Sequence, residues 1–459
     1  MSTAASLATR ARTPELRASR LRSLSHQQEA VWLLAQFLPP QQQCALNLCY
    51  EFELYGSLDA EAMTKAVNAL ADVHPALRTC IWIDDGHVRQ GLPLEMPPLK
   101  IDDVRDRPDP LAAAAALAHA EAERIVDLAT GPLATFRLIR AGDDRYCLVM
   151  NVHHVIADGT SIPILRASLA ALYTSCVTGR PAALASAGVG SEALVAAQAA
   201  REASGALAEH ERYWLQELTP AVPPLELPRW RDRPPARSFR AEWLTASLSR
   251  RLVEACERRS FRLHSPVSAF YLAAFAWLLA GITGRRDMVI GTGFTGRRPG
   301  DPWQHAVGLF ANTVPVVLRL DRTGTPAATV RQVASQYIGA YDHQDYPLQR
   351  LLALLTPPRT PDCPVPFQVG YNYQSLPATA VQWAGLTEAR FDRVYSATSA
   401  FDFVLDVSHD SDKTDARFVY ATDVLPRDFV IEAAERYVRL LEELADCPNS
   451  GCVTLRSLS

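Results

Sequence analysis

The residues of this chain best suited to chemistry lie in one short stretch, His153-His154-Val-Ile-Ala-Asp158-Gly159. Histidine is scarce, with 11 among 459 residues, so an adjacent pair followed at short range by an acid and a glycine stands out. A neutral imidazole, with an ordinary pKa near ~6.5, can take the proton that an amine or hydroxyl must shed as it attacks a carbonyl. Side chains alternate along a strand, so two adjacent imidazoles at a strand end point to opposite sides and only one enters a given cavity. A turn after the strand returns Asp158 beneath its end, where a carboxylate can hold a loop or an arginine. Gly159 admits a close backbone approach, or takes a positive φ, where a side chain would interfere. The plainer alternative is a packed histidine pair above an ordinary Asp-Gly turn. A metal site would need a third ligand at helical or hairpin spacing; nothing such as His-x3-His is near, so no metal is expected.

A second pattern, Gly291-Thr-Gly293-Phe-Thr-Gly296, has the spacing of a dinucleotide-binding loop. That loop must open a helix and be followed about 20 residues later by an acid. Here Arg297-Arg298-Pro299-Gly300-Asp301-Pro302 blocks a helix, and Ala311 to Pro315 hold no acid. Nucleotide binding is excluded on those grounds.

The elements that must position the histidines follow from periodicity. Tyr146 to Val152 reads as a strand running into His153, paired as a hairpin with Phe136 to Ile139 through the turn-rich Ala141-Gly-Asp-Asp144. A helix is predicted from Ser161 to about Cys176, with Pro163 acceptable in its first turn. Ser25 with Gln28 forms a capping-box pattern ahead of a helix, Leu46 to Tyr55 reads as a strand and Asp59 to Val73 as a helix. Helices are also predicted over Pro108–Leu128, Ser191–Glu217, Ser265–Ile282, Ala328–His343 and Asp428–Leu444, with strands over Leu77–Ile83, Met288–Gly291, Phe367–Tyr373 and Phe401–Val407. Pro220 to Pro235 is proline-rich and reads as an extended crossing segment. The expected division is therefore a basic tail over 1–22, a lobe over 23–180, a helix and linker over 181–236, and a second lobe over 237–459. Strands and helices mix in both halves without strict alternation, which predicts an α+β fold of two similar lobes.

Composition narrows the class. A net charge of −4, with 46 Lys+Arg against 50 Asp+Glu, offers no general attraction to nucleic acid or a membrane surface. Nine cysteines form no CxxC pair and suit a reducing cytoplasm. The apolar run Ala269 to Ala280 is too short to span a bilayer and reads as a buried helix.

Taken together, the chain resembles the condensation-domain superfamily of nonribosomal peptide synthesis over roughly residues 23–457. The resemblance rests on His153-His154-x3-Asp158-Gly159 with Ser161, on Ser25-x-Gln27 with Trp32, and on His74-x2-Leu77-Arg78-Thr79. It continues through Val307-Gly-Leu-Phe310-Ala-Asn312-Thr313, His343-Gln344-Asp345-Tyr346-Pro347, and Arg359 with Pro366-Phe367-Gln368-Val369, in the expected order. It implies two chloramphenicol-acetyltransferase-like lobes in a V, with His154 at the middle of a passage between them. It also implies transfer of an acyl group from a carrier-protein thioester to an amine or alcohol, giving an amide or an ester. His154 would serve as base or positioning group, and a backbone N–H at or near Gly159 as oxyanion donor. His153 would be structural, Asp158 a scaffold paired with Arg297, and His343 and Asp345 would shape the lobe interface. No cofactor would be resident, the phosphopantetheine arm arriving on the carrier.

The implied protein is a free-standing, cytoplasmic, monomeric enzyme whose partners are an acyl or peptidyl carrier protein and a small-molecule acceptor. The Arg229 to Arg237 loop is a candidate basic patch for the carrier. Epimerisation of a carrier-bound aminoacyl group and a silent carrier-docking role are the alternatives. Thr160, where an aromatic residue is usual, and Ser191-Glu-Ala-Leu-Val, where a Tyr-x-Asp-Tyr-Ala block is usual, point away from a routine amino-acid acceptor and toward an alcohol.

Overall fold

A computed structural model describes residues 22–91, 96–184, 190–220, 222–223, 225–228, 238–321, 325–355, 367–375, 381–409 and 413–446. The tail, the Arg229 to Arg237 loop, Arg359 and Pro366 lie outside the described residues.

Within the first half, β1 (Asn47–Gly56), β4 (Lys100–Asp103), β5 (Ala134–Arg140) and β6 (Arg145–His153) share a sheet, while β2 (Cys80–Asp84) and β3 (His87–Gly91) form a separate hairpin. β5 and β6 pair antiparallel across the Gly- and Asp-containing turn, with Phe136 opposite Met150. The helices Ala60–Val73 and Ser161–Thr178 cover one face. Asp59 caps the former by accepting from the N–H groups of Glu61 and Ala62, and its buried residues Ala62, Met63, Ala66, Val67 and Leu70 recur at helical spacing. The Ala-rich helix is shorter than predicted, Pro110–Ala122, and the strand expected at Leu77 starts only after a 3₁₀ turn over Pro75–Arg78.

In the second half, β7 (Ala241–Leu248), β8 (Asp287–Phe294), β9 (Asn312–Arg319), β10 (Val369–Ser375), β12 (Phe403–His409) and β13 (Thr414–Ala421) form a sheet in the order β7-β13-β12-β10-β8-β9. The helix Val267–Thr283 lies under it, with every residue from Ser268 to Leu279 buried. Packing on all sides explains why this run carries no amphipathic pattern. No single helix among the described residues is long and apolar enough to cross a membrane.

The predicted helix Ser191–Glu217 is two helices, Ser191–Ala203 and Leu207–Glu217, broken at Gly205, whose φ is +73°. Leu207 and Trp214 of the latter belong to the second lobe's core. The boundaries drawn from sequence also need one amendment. Strand β11 (Leu386–Val394), within the segment 237–459, leaves the second lobe and pairs antiparallel with β1 as the edge of the first sheet. Its Phe391 stacks on Tyr50 at 5.2 Å and meets Phe52 at 4.8 Å. Its Glu388 pairs with Arg166 of the helix Ser161–Thr178. No residue of this strand is fully buried, and Thr387, Ala389 and Arg390 are exposed, so no apolar pattern marks it in the sequence.

Candidate active site

The chain leaves β6 at His153 and turns immediately through one 3₁₀ turn, His154–Ile156, before entering the helix at Ser161. The break between strand and turn separates the imidazoles. His153 is buried, and its Nδ1 accepts the Val155 N–H at 3.2 Å. Burial, with the neighbouring His154 adding to it, pushes its pKa down to about 3, so the ring is neutral. Gln28, the capping-box residue of the helix His26–Phe37, donates from Nε2 to the Val155 carbonyl at 3.2 Å and steadies the same turn.

His154 instead lines a cavity of about 1770 Å³ between the lobes, bordered by Tyr50 and Gly159 from one side and by Thr295, Asn312 and Gln374 from the other. Its Nδ1 lies 2.9 Å from the Ala157 carbonyl oxygen. A carbonyl only accepts, so Nδ1 carries the hydrogen and Nε2 holds the free lone pair. Burial lowers the pKa of His154, while its backbone contacts and the nearby Asp158 charge partly offset this. The ring is therefore neutral at neutral pH, oriented, and close to a fixed negative charge.

Asp158 is fully buried and saturated. Its Oδ1 accepts the Ser161 N–H at 2.9 Å, with the Ser161 hydroxyl also 2.9 Å away. Its Oδ2 accepts from Arg297 Nη1 at 2.5 Å and from the N–H groups of Phe310 and Ala311 at 3.0 and 3.1 Å. Burial alone would raise this carboxyl's pKa, but Arg297 and these donors bring it below its ordinary value. A carboxylate so engaged has no capacity for proton transfer. It joins β6's turn in one lobe to the Thr295–Ala311 loop of the other.

Arg297 completes that junction. Its Nη2 donates to the Ala306 carbonyl at 3.0 Å, and its guanidinium carbon lies 4.4 Å from the Phe310 ring centroid. Gly296 before it has φ +62°, and a Cβ there would fall 1.9 Å from the Phe310 carbonyl oxygen, so only glycine allows the loop to close. Gly291 and Gly293 of the dinucleotide-like pattern lie inside β8.

Gly159 serves by close approach: its φ is not positive, and a Cβ would come within 2.6 Å of Gln374 Nε2. Among the described residues nothing accepts its N–H. The structure thus brings His154, Asp158, Gly159 and Arg297 together and sets His343 and Asp345 elsewhere. His343 stacks on Tyr213 with ring centroids 3.9 Å apart, its Nδ1 lying 2.9 Å from His210 Nδ1. Asp345 pairs with Arg201 and Arg298. Sequence reasoning missed Gln374 and Arg393 in the cavity wall. No local pattern marks either residue in the sequence.

Two α+β lobes joined by a buried ion pair, with one oriented imidazole facing the cavity between them, define a two-lobed architecture of the condensation class. The comparisons with known proteins agree. The chain matches the Condensation domain family over residues 19–459 and belongs to it. It is 26% identical over 430 residues to tyrocidine synthase 3 of Brevibacillus parabrevis, covering 93% of this chain and 6% of that protein. It is 30% identical over 433 residues to phosphinothricin tripeptide synthetase PhsB of Streptomyces viridochromogenes, covering 92% of this chain and 36% of that protein. The chain thus spans well under two thirds of the length of these relatives. Among solved structures, the condensation domain of the monacolin K polyketide synthase MokA superimposes with a TM-score of 0.82 at 22% identity, covering 94% and 98% of the two chains. The first condensation domain of the calcium-dependent antibiotic synthetase, in complex with a substrate analogue, gives 0.80 at 22% identity, covering 96% and 99%.

Proposed function

We propose that this protein transfers an acyl or aminoacyl group from a carrier-protein thioester to an amine or alcohol, with His154 Nε2 as the proton acceptor. The observation that carries this reading is the fixed tautomer: Nδ1–H is held by the Ala157 carbonyl, leaving Nε2 as an acceptor at the cavity between the lobes.

The thioester is already activated, so catalysis must supply a competent nucleophile and stabilise developing charge. A neutral amine or a hydroxyl attacks the carbonyl carbon, and its proton passes to His154 Nε2. The new C–N or C–O bond forms as negative charge gathers on the former carbonyl oxygen. The Gly159 N–H is the candidate donor to that oxygen; one such donor is typically worth ~3 kcal/mol. The intermediate then collapses with cleavage of the C–S bond, and the sulfur leaves with the proton held by the imidazolium, restoring neutral His154. Asp158 stabilises the transient imidazolium through its fixed charge and does not itself take the proton. The phosphopantetheine arm of the carrier belongs to the substrate and departs as its thiol.

The test is product formation from a loaded carrier and a panel of amines and alcohols, followed by mass spectrometry. Amide or ester product with wild type and its loss in His154→Ala is the expected result. Product unchanged in that variant removes His154 from the mechanism, and inversion of an aminoacyl group without transfer marks an epimerase instead.

A further inference from the structure

Three arginines line the cavity among the described residues: Arg297, Arg298 and Arg393. Arg297 is paired with Asp158, and Arg298 shares Asp345 with Arg201. Arg393, on the crossing strand β11, makes no ion pair among the described residues; its guanidinium hydrogen-bonds to Tyr395, while its Nε is buried without a hydrogen-bond partner. Its guanidinium carbon lies 4.7 Å from the Tyr395 ring centroid, and that of Arg417 lies 4.3 Å from the same ring. Tyr50 stands opposite Arg393 in the β1–β11 register and stays neutral, because burial pushes its pKa up to about 12. Asp406 is an acid whose charge acts on Arg393, and its Oδ1 accepts from Asn372 Nδ2 at 2.7 Å. Two guanidinium groups thus lie against Tyr395.

Charges taken into a protein interior are normally paired, because an uncompensated one costs several kcal/mol of lost solvation. A guanidinium lining the reaction cavity suits an anion brought by a reactant, and its planar fork matches a carboxylate. A donor held as a thioester has its carboxyl masked, and so does any acceptor tethered to a carrier. A free amino acid or hydroxy acid keeps its carboxylate.

We infer that Arg393 is a specificity residue binding the carboxylate of a free, untethered amino or hydroxy acid, the acceptor whose amine or hydroxyl His154 serves. This rests on the acyl-transfer reading above and names its acceptor class.

The test pairs each acid with its primary amide: the twenty common amino acids, lactate, malate and 3-phenyllactate, each offered with an octanoyl-loaded carrier. At least one acid should exceed its amide in kcat/KM by about 30-fold, the scale of a desolvated charge pair. Arg393→Gln should bring that ratio close to one, and Arg393→Lys should keep part of it. Amides matching or exceeding their acids throughout overturns the inference, as does an undiminished ratio in a folded Arg393→Gln protein. Succinyl- and butyryl-loaded carriers form a second arm: a succinyl preference that vanishes in Arg393→Gln, with acceptor discrimination intact, assigns the cation to the donor and overturns the acceptor claim. Ligand-observed NMR with the same acids and no carrier separates the two readings. Arg393-dependent binding without transfer upholds the carboxylate site and removes acyl transfer. Transfer to neutral acceptors without preference for acids does the reverse.

Discussion

The Asp158 carboxylate of one lobe lies 2.5 Å from the Arg297 guanidinium of the other, with both side chains more than nine-tenths buried. Removing one partner leaves the other charge buried and uncompensated, which typically costs about 3–5 kcal/mol. Asp158→Ala and Arg297→Ala should each lower unfolding free energy on that scale in chemical denaturation. The double variant should lose clearly less than the sum of the two. Additive losses would show that the two charges are not energetically coupled.

His154 has a pKa below the ordinary imidazole value because it is buried. In the proposed mechanism its neutral form is the proton acceptor, so kcat/KM should fall only as pH drops through that lowered pKa. A pH–rate profile should show an acid limb centred below ~6.5, with a plateau at neutral pH. His154→Ala should lose roughly 10²–10⁴-fold in kcat. An acid limb centred above the ordinary value would contradict the burial argument.

His153 is expected to govern stability in acid. Its folded pKa is about 3 while the unfolded chain's is near the model-peptide value of 6.5. The unfolded state therefore binds the proton first, and stability present above pH ~6.5 drains away as pH falls toward 3. His74, lowered by burial to about 4, contributes with the same sign. His153→Asn keeps an acceptor for the Val155 N–H and removes the titration. Its unfolding free energy should fall less between pH 7 and pH 4 than that of wild type.

At Gly159, an added Cβ would meet Gln374 Nε2 at 2.6 Å, the end of a flexible side chain. Gly159→Ala should lower activity by crowding the cavity while costing about 1–3 kcal/mol of stability or less. Combining it with Gln374→Ala should restore much of the loss. Failure of the second substitution to help would place the defect in the backbone turn and its N–H.

Local pattern already determined the element types near the site. The β5–β6 hairpin, the Ser25–Gln28 capping box and the helix entered at Ser161 depend on residues a few positions apart, whose hydrogen bonds and alternation are written in the chain. The pairing of Asp158 with Arg297 was legible only through resemblance, because 139 residues separate them. Tertiary structure alone decided that β11 crosses to complete the first sheet and that Arg393 and Gln374 join the wall. Each of these depends on contacts between segments distant in sequence. Their cost and gain are set by burial in the assembled lobes, and no window of neighbouring residues contains that information.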